Sequence, residues 1–235
     1  MLDGVQTHVG RYHLLHGVDM AVPEGELTML LGRNGAGKTT TLRSIMGLWR
    51  ASAGSIRFDG RDITRLPTPD IARLGIAYVP ETMGIFAGLT VRENLLLATH
   101  TGRFDAARLD AILALFPVLE LKMHDPAGAL SGGQKQMLAI SRAIVEERRM
   151  LIVDEPTKGL APSVIADLIG GFRALKATRT TILLVEQNFQ MAAALGDGVA
   201  VMEDGKIIHA SSMGALAADE ALQARLLGLS LAAHQ

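Results

Sequence analysis

No cysteine occurs among the 235 residues, which rules out a disulfide framework and thiolate chemistry and suits a cytosolic home. Charge of one sign is equally lacking. The formal net charge of -1 supplies no bulk attraction to nucleic acid or anionic lipid, so no nucleic-acid partner is expected. Long apolar runs are missing too, although hydrophobic residues make up 49% of the chain. The runs Met150 to Val153, Ile182 to Val185 and Val199 to Met202 fall far short of a membrane span. The first residues, Met1-Leu2-Asp3-Gly4, lack the basic and apolar regions of a secretory signal. A soluble protein is therefore expected, with enough apolar content for a docking surface. The length suits one large domain, or a core with a smaller subdomain.

What is present centres on Gly32-Arg33-Asn34-Gly35-Ala36-Gly37-Lys38-Thr39, which fits G-x-x-x-x-G-K-[ST]. The apolar run Leu27 to Leu31 precedes it, and Thr40 to Trp49 follows with helical spacing, giving strand, loop and helix in order. Glycines allow successive backbone N–H groups to turn inward as an anion nest, and a helix N-terminus adds partial positive charge. Lys38 would reach the outer phosphates of a nucleoside triphosphate, and the Thr39 hydroxyl would ligate Mg²⁺. A Gly-rich turn before an ordinary helix is the bland alternative, but it leaves the Lys-Thr pair unexplained.

Along the chain, Met1 to Leu31 reads as strands and turns, and Ser55 to Phe58 as a strand entering a tight turn at Asp59-Gly60. Ile76 to Val79 is a further strand, stopped by Pro80. From Glu81 to Ala129 the texture is helical. Thr90 to Glu93 forms a capping box ahead of Asn94 to His100, and Asp105 caps Ala106 to Phe116. Leu109, Ile112, Leu113 and Phe116 share one face of that helix, and Pro117 is expected to disrupt the next turn. The second half alternates: strand Met150 to Asp154, helix Pro162 to Thr178, strand Thr181 to Val185, helix Phe189 to Leu195 and strand Val199 to Met202. Glu203 to Lys206 reads as a hairpin turn. The tail from Met213 to Leu229 reads as helix, with its last residues disordered. Such alternation implies a mainly parallel sheet covered on both faces.

Met150 to Glu155 is an apolar strand ending in two carboxylates, and a buried parallel strand delivers its C-terminal residues to the ligand crevice. Asp154 suits Mg²⁺ and Glu155 is placed to polarise the attacking water. Leu130-Ser131-Gly132-Gly133-Gln134 is a second distinctive stretch. Ser131 with Gln134 forms a capping box for Lys135 to Val145, and the glycines leave N–H groups exposed for phosphate. One triphosphate has one terminal phosphate, so two such sites in one chain point to different nucleotides. A plain helix cap is the alternative reading.

These three motifs together resemble the ATP-binding subunit of ABC transporters over nearly the whole chain. Tyr78-Val79-Pro80-Glu81, Leu89 to Leu95, Gly159-Leu160-Ala161-Pro162 and Leu184 to Asn188 look more narrowly like the ATPases of branched-chain amino-acid importers. The resemblance implies an α/β phosphate-loop NTPase with a mainly parallel core sheet, an N-terminal antiparallel part and a helical subdomain. It divides one domain, 1–235, into a nucleotide-binding core (1–80 and 150–235) and a helical subdomain (81–149). ATP and Mg²⁺ would be bound by Gly32 to Thr39 with Thr40, and by Thr39, Glu81 and Asp154 at the metal. Ser131 to Gln134 would close over the ATP of a second, identical or sister, ATPase subunit. Glu155 and Gln187 would be catalytic.

Three departures from the general ABC pattern stand out. Glu81 occupies the place usually held by Gln, Gln187 the place of the switch His, and Ala161 the place of an Asp. Changes of this kind also mark the branched-chain subfamily. The adenine-stacking aromatic falls by spacing at Val9, leaving Tyr12 as the candidate, or as an ordinary surface or core tyrosine. His8, His13 and His16 have no carboxylate or cysteine partners at ligand spacing and read as structural. The resemblance further implies membrane permease subunits as partners, a periplasmic binding protein acting indirectly, and a place on the cytoplasmic face of the inner membrane. The face from Glu81 to Leu95, with Met83, Ile85, Phe86 and Leu89, is expected either to dock the permease or to pack inside the subdomain. A urea or amide importer and a lipopolysaccharide exporter are the nearer alternatives. Ribosome-acting ABC proteins usually fuse two ATPase domains, and chromosome-type ones need a long coiled coil. This chain has neither.

Overall fold

The computed structural model describes residues 1–228. Two sheets carry the fold. The first is antiparallel, in the order β2-β1-β4-β5, formed by β1 (Leu2–Val9), β2 (Tyr12–Met20), β4 (Ala51–Phe58) and β5 (Arg61–Asp62). The second has the order β10-β9-β3-β8-β7-β6, from β3 (Leu27–Leu31), β6 (Ile76–Val79), β7 (Met150–Asp154), β8 (Thr181–Val185), β9 (Gly198–Glu203) and β10 (Lys206–Ser212). All its pairings are parallel except β9 with β10. Strands β3, β7 and β8 are buried at every residue, which is why they read as mainly apolar runs, with only Thr28, Asp154 and Thr181 polar.

Helix α1 (Lys38–Ile45) leaves the phosphate loop directly, and α2 (Thr68–Arg73) precedes β6. Between β6 and β7 lie α3 (Val91–Leu96), α4 (Ala106–Leu115), α5 (Pro117–Glu120) and α6 (Gly132–Ile144). Helix α7 (Pro162–Ala177) crosses from β7 to β8, α8 (Phe189–Leu195) from β8 to β9, and α9 (Met213–Ala217) and α10 (Glu220–Leu227) follow β10. One apolar cluster runs from β3, β7 and β8 into α3, α4, α6 and α7, so sheet and helices share a core.

Both capping boxes form: Thr90 with Glu93 at α3, and Ser131 with Gln134 at α6. Asp105 caps α4 through the Arg108 N–H, and Ile112 and Phe116 are buried while Leu109 and Leu113 pack on the core edge. Four corrections apply to the expected elements. Helix α3 begins at the capping-box residue Val91 and ends at Leu96 rather than running to His100. Pro117 starts a new short helix instead of only breaking one, since proline is tolerated at the first helical position. Helix α6 begins at Gly132, inside its own cap. The tail is two helices, because Asp219 caps a fresh start at Glu220. Leu229 and the residues expected to be disordered after it lie outside the described residues. Among the described residues no helix is long and apolar enough to cross a membrane.

Candidate functional site

The loop between β3 and α1 supplies the floor of the site. Gly32 has φ 149°, and a Cβ there would overlap the Met202 carbonyl oxygen, so the loop can pass under β9 only with glycine. Gly37 caps the start of helix α1 without a side chain to satisfy the first N–H groups, and no acidic residue sits in its first turn. Such an end favours an anion. Lys38 is buried and folds back to donate to the Gly32 and Arg33 carbonyls, at 2.8 and 3.1 Å. The Ala36 carbonyl accepts from Gly205 N–H of the β9–β10 turn at 2.8 Å, tying the loop to the sheet.

The ends of β7 and β8 face this loop. Asp154 accepts from the Thr39 hydroxyl at 3.2 Å and from the Tyr78 hydroxyl at 3.4 Å. Burial pushes the Asp154 carboxyl above its ordinary range, and burial likewise raises Tyr78 to about 12. Glu155 Oε1 lies 3.4 Å from Lys38 Nζ and accepts from Gln187 Nε2 at 2.8 Å. The second Gln187 amide hydrogen goes to Asn34 Oδ1 at 2.7 Å. Asn34, Gly35, Gly37, Lys38, Thr39, Thr40, Glu81 and Glu155 therefore line one cavity of about 330 Å³, together with Leu14 and Lys158.

Gly32, Arg33 and Ala36 form the back of the loop rather than the cavity wall. Tyr12 and the Ser131–Gln134 stretch lie away from this cavity. Tyr12 is exposed, with the Arg11 guanidinium 5.5 Å from its ring centroid. Ser131 and Gly132 are exposed at the start of α6, where they are available to another molecule. Gly133 has a different reason for being glycine: a Cβ there would overlap the Val164 Cγ1 methyl on α7. His8 and His13 stack with centroids 4.0 Å apart, and His16 lies 4.1 Å from His13, in the β1–β2 hairpin. Among the described residues no cluster of three or more His, Cys, Asp or Glu could hold a metal.

That count does not speak against Mg²⁺, which is usually held by one or two carboxylates, waters and substrate phosphates. Thr39 and Asp154 fit that donor set. Both are oxygen ligands, and the buried Asp154 carboxylate has its ionised form disfavoured until a cation joins it. Glu81 is on the same cavity wall, but its Oε1 is engaged by Lys158 Nζ at 2.6 Å.

Sequence reasoning missed Lys158, Tyr78 as a partner of Asp154, and the role of Glu186. Buried Glu186 accepts from Thr157 N–H and hydroxyl at 3.0 and 2.8 Å, and from the N–H groups of Gln187 and Asn188 at 3.1 and 3.2 Å. It thereby fixes the loop after β7 to the loop after β8. Burial nonetheless raises its pKa. Its sequence signals were its place directly after an apolar strand and within the Leu184 to Asn188 stretch.

A strand-loop-helix phosphate cradle facing two carboxylates at the end of the neighbouring-but-one strand defines a phosphate-loop nucleoside triphosphatase. The chain belongs to the ABC transporter family, whose model matches residues 15–158, and it is an ATP hydrolase of that type. It is 39% identical over 228 residues to the high-affinity branched-chain amino acid transport ATP-binding protein BraG of Pseudomonas aeruginosa, covering 96% of this chain and 98% of that one. It is 37% identical over 234 residues to the probable branched-chain amino acid transport ATP-binding protein LivF of Archaeoglobus fulgidus, covering 97% and 99%. Among solved structures, the ADP conformation of the ATP-binding cassette MJ1267 superposes with a TM-score of 0.83 at 26% identity, over 97% of this chain and 98% of that one.

Proposed function

We propose that this ATPase powers uptake of branched-chain or related amino acids, working as a dimer on the cytoplasmic side of a membrane permease. The observation that carries the substrate class is the near full-length similarity to two transport ATPases named for branched-chain amino acids. Neither a urea or amide importer nor a lipopolysaccharide exporter is favoured by those relatives.

In the proposed reaction Lys38 leaves the Gly32 and Arg33 carbonyls for the outer phosphates, whose charge it matches better than a neutral carbonyl. Thr39 and Asp154 hold Mg²⁺, which supplies charge neutralisation at the transferring phosphoryl group. Glu155 orients the attacking water, and Gln187 holds Glu155 with one amide hydrogen while the other is free to turn from Asn34 to the γ-phosphate. Phosphoryl transfer depends mainly on positioning and charge stabilisation, so an amide serves where other ABC proteins use imidazole. The exposed start of α6 at Ser131 completes the site of a second subunit, and Tyr12 is the side chain offered to adenine.

The permease is proposed to dock where residues 81–149, taken as the helical subdomain, meet the core. A groove of about 780 Å³ there is lined by Leu48, Trp49, Pro80, Ala98 and Arg142. Phe86 and Leu97 are 50% and 61% exposed on the same subdomain, whereas Met83 and Ile85 are partly packed against the core. A periplasmic binding protein would then act through the permease, without touching this chain. The test is uptake of labelled leucine, isoleucine and valine in cells lacking the gene, complemented by wild type or Glu155→Gln. Loss of uptake restored by wild type alone supports the reading. Uptake indifferent to the deletion overturns it.

A further inference from the structure

Each oxygen of the Glu155 carboxylate faces its own cation. Oε1 has Lys38 Nζ at 3.4 Å, and Oε2 has Lys158 Nζ at 3.7 Å. Lys38 belongs to the phosphate cradle and has its own duty there. Lys158 follows Glu155 by three residues and stands on a turn that is itself fixed. Lys158 N–H donates to the Glu155 carbonyl at 3.3 Å, and the preceding Thr157 is anchored by two bonds to buried Glu186. The side chain reaches out from this turn to a second carboxylate, Glu81 Oε1, at 2.6 Å. Glu81 begins the loop that leads from β6 into the helices, so one ammonium links the core's hydrolytic carboxylate to the entrance of the helical segment. Glu81 and Glu155 line this cavity and Asp154 lies close to both, and like charges so placed disfavour one another. Lys158 offsets two of them.

We propose that Lys158 is a positioning residue for ATP hydrolysis: it orients Glu155 through Oε2 and ties that orientation to Glu81, so that displacement of the loop at Glu81 is felt at the hydrolytic carboxylate. The proposal rests on the reading of Glu155 as the residue that orients water. A side chain that works through two carboxylates acts on the chemical step and not on nucleotide affinity. Methionine at 158 keeps the stem and removes the cation. Arginine keeps the cation and the reach.

The experiment is steady-state MgATP hydrolysis by wild type, Lys158→Met, Lys158→Arg, Glu81→Gln, the Lys158→Met/Glu81→Gln double variant and Glu155→Gln, with thermal melting of each. Lys158→Met is expected to lose about ten-fold in kcat with KM changed less than about two-fold, the pattern of an interaction expressed in the transition state. Lys158→Arg is expected to recover most of that loss. The double variant is expected to lose less than the product of the two single losses, because both remove the same tether. The proposal is overturned by kcat in Lys158→Met within about two-fold of wild type, by a rise in KM at constant kcat, or by single losses that simply multiply. Unchanged turnover in Glu155→Gln would remove the Glu155 reading itself, and the role of Lys158 with it. A melting point lowered in Lys158→Met, with no rescue of kcat by Lys158→Arg, would make the residue merely structural and also overturn the proposal.

Discussion

Replacing Gln187 by alanine removes one nitrogen that serves two acceptors. Its amide hydrogens go to Asn34 Oδ1 at 2.7 Å and to Glu155 Oε1 at 2.8 Å. Asn34 is exposed and regains a partner from water, so that loss is nearly neutral. Glu155 is 9% exposed and keeps Lys38 at 3.4 Å, so the fold survives with a loss of about 1 kcal/mol. In a chain of this size that lowers the melting temperature by about 2–4 °C. The rate suffers more. A hydrogen bond to a charged group contributes about 1.5–3 kcal/mol. If it is expressed in the transition state, kcat falls by about ten- to a hundred-fold. Gln187→His is the informative partner. A neutral imidazole has one N–H and cannot satisfy Asn34 and Glu155 together, but it retains one donor, so activity stays within about three-fold of wild type. Steady-state ATPase assays at saturating MgATP, beside melting curves, measure both. A Gln187→Ala enzyme with kcat within about two-fold of wild type would refute the role assigned to this amide.

Three further outcomes are expected. Lys38→Ala should abolish tight ATP binding, a loss of at least about a hundred-fold in affinity by calorimetry, because it removes a charge-assisted contact to phosphate; near wild-type affinity would undo the assignment of the cradle. Glu186→Ala leaves four donors on Thr157, Gln187 and Asn188 without their acceptor, so stability should fall by about 3 kcal/mol and the melting temperature by about 6–12 °C, and an unchanged melt would mean water replaces the carboxylate at no cost. Asp154→Asn should raise the melting temperature of the nucleotide-free protein while removing the extra stabilisation by MgATP. The folded-state pKa of Asp154 lies above its ordinary 3.8, so wild type loses stability as pH climbs through the shifted value; the variant's advantage is absent below 3.8 and present at neutral pH, and equal melting at pH 7 would contradict this.

Elements buried on both faces, such as β7 and β8, were legible because Met150 to Val153 and Ile182 to Val185 are unbroken apolar runs. Helix starts were legible where the cap is local, as at Thr90, Asp105 and Ser131. Strand β10 was not, since Lys206–Ser212 alternates between exposed and half-buried residues and carries no apolar run. Helix α2 escaped because a single buried residue, Ile71, makes no stripe, although Pro67 and Pro69 bracket its start. At the site, the cradle and the carboxylate pair are contiguous motifs and could be read directly. Lys158 could not, because its partner Glu81 is 77 positions away and nothing near either residue announces the pairing. Glu186 sat in a recognisable stretch, but its purpose depends on Thr157, 29 positions earlier. Tyr78 likewise meets Asp154 only because β6 and β7 are neighbours.

Glu155 has φ 46°, a left-handed backbone that side chains other than glycine, asparagine and aspartate rarely adopt. Holding a glutamate there costs about 1–2 kcal/mol, spent where β7 turns away from the sheet and the Glu155 N–H still donates to the Val185 carbonyl at 3.0 Å. Stability alone would therefore choose glycine or asparagine at position 155, whereas the role proposed for Glu155 requires a carboxylate there. Any effort to make this protein hardier by relaxing its strained backbone would find a tempting target at the very carboxylate proposed to orient the attacking water, and on that reading would yield a sturdier but idle ATPase.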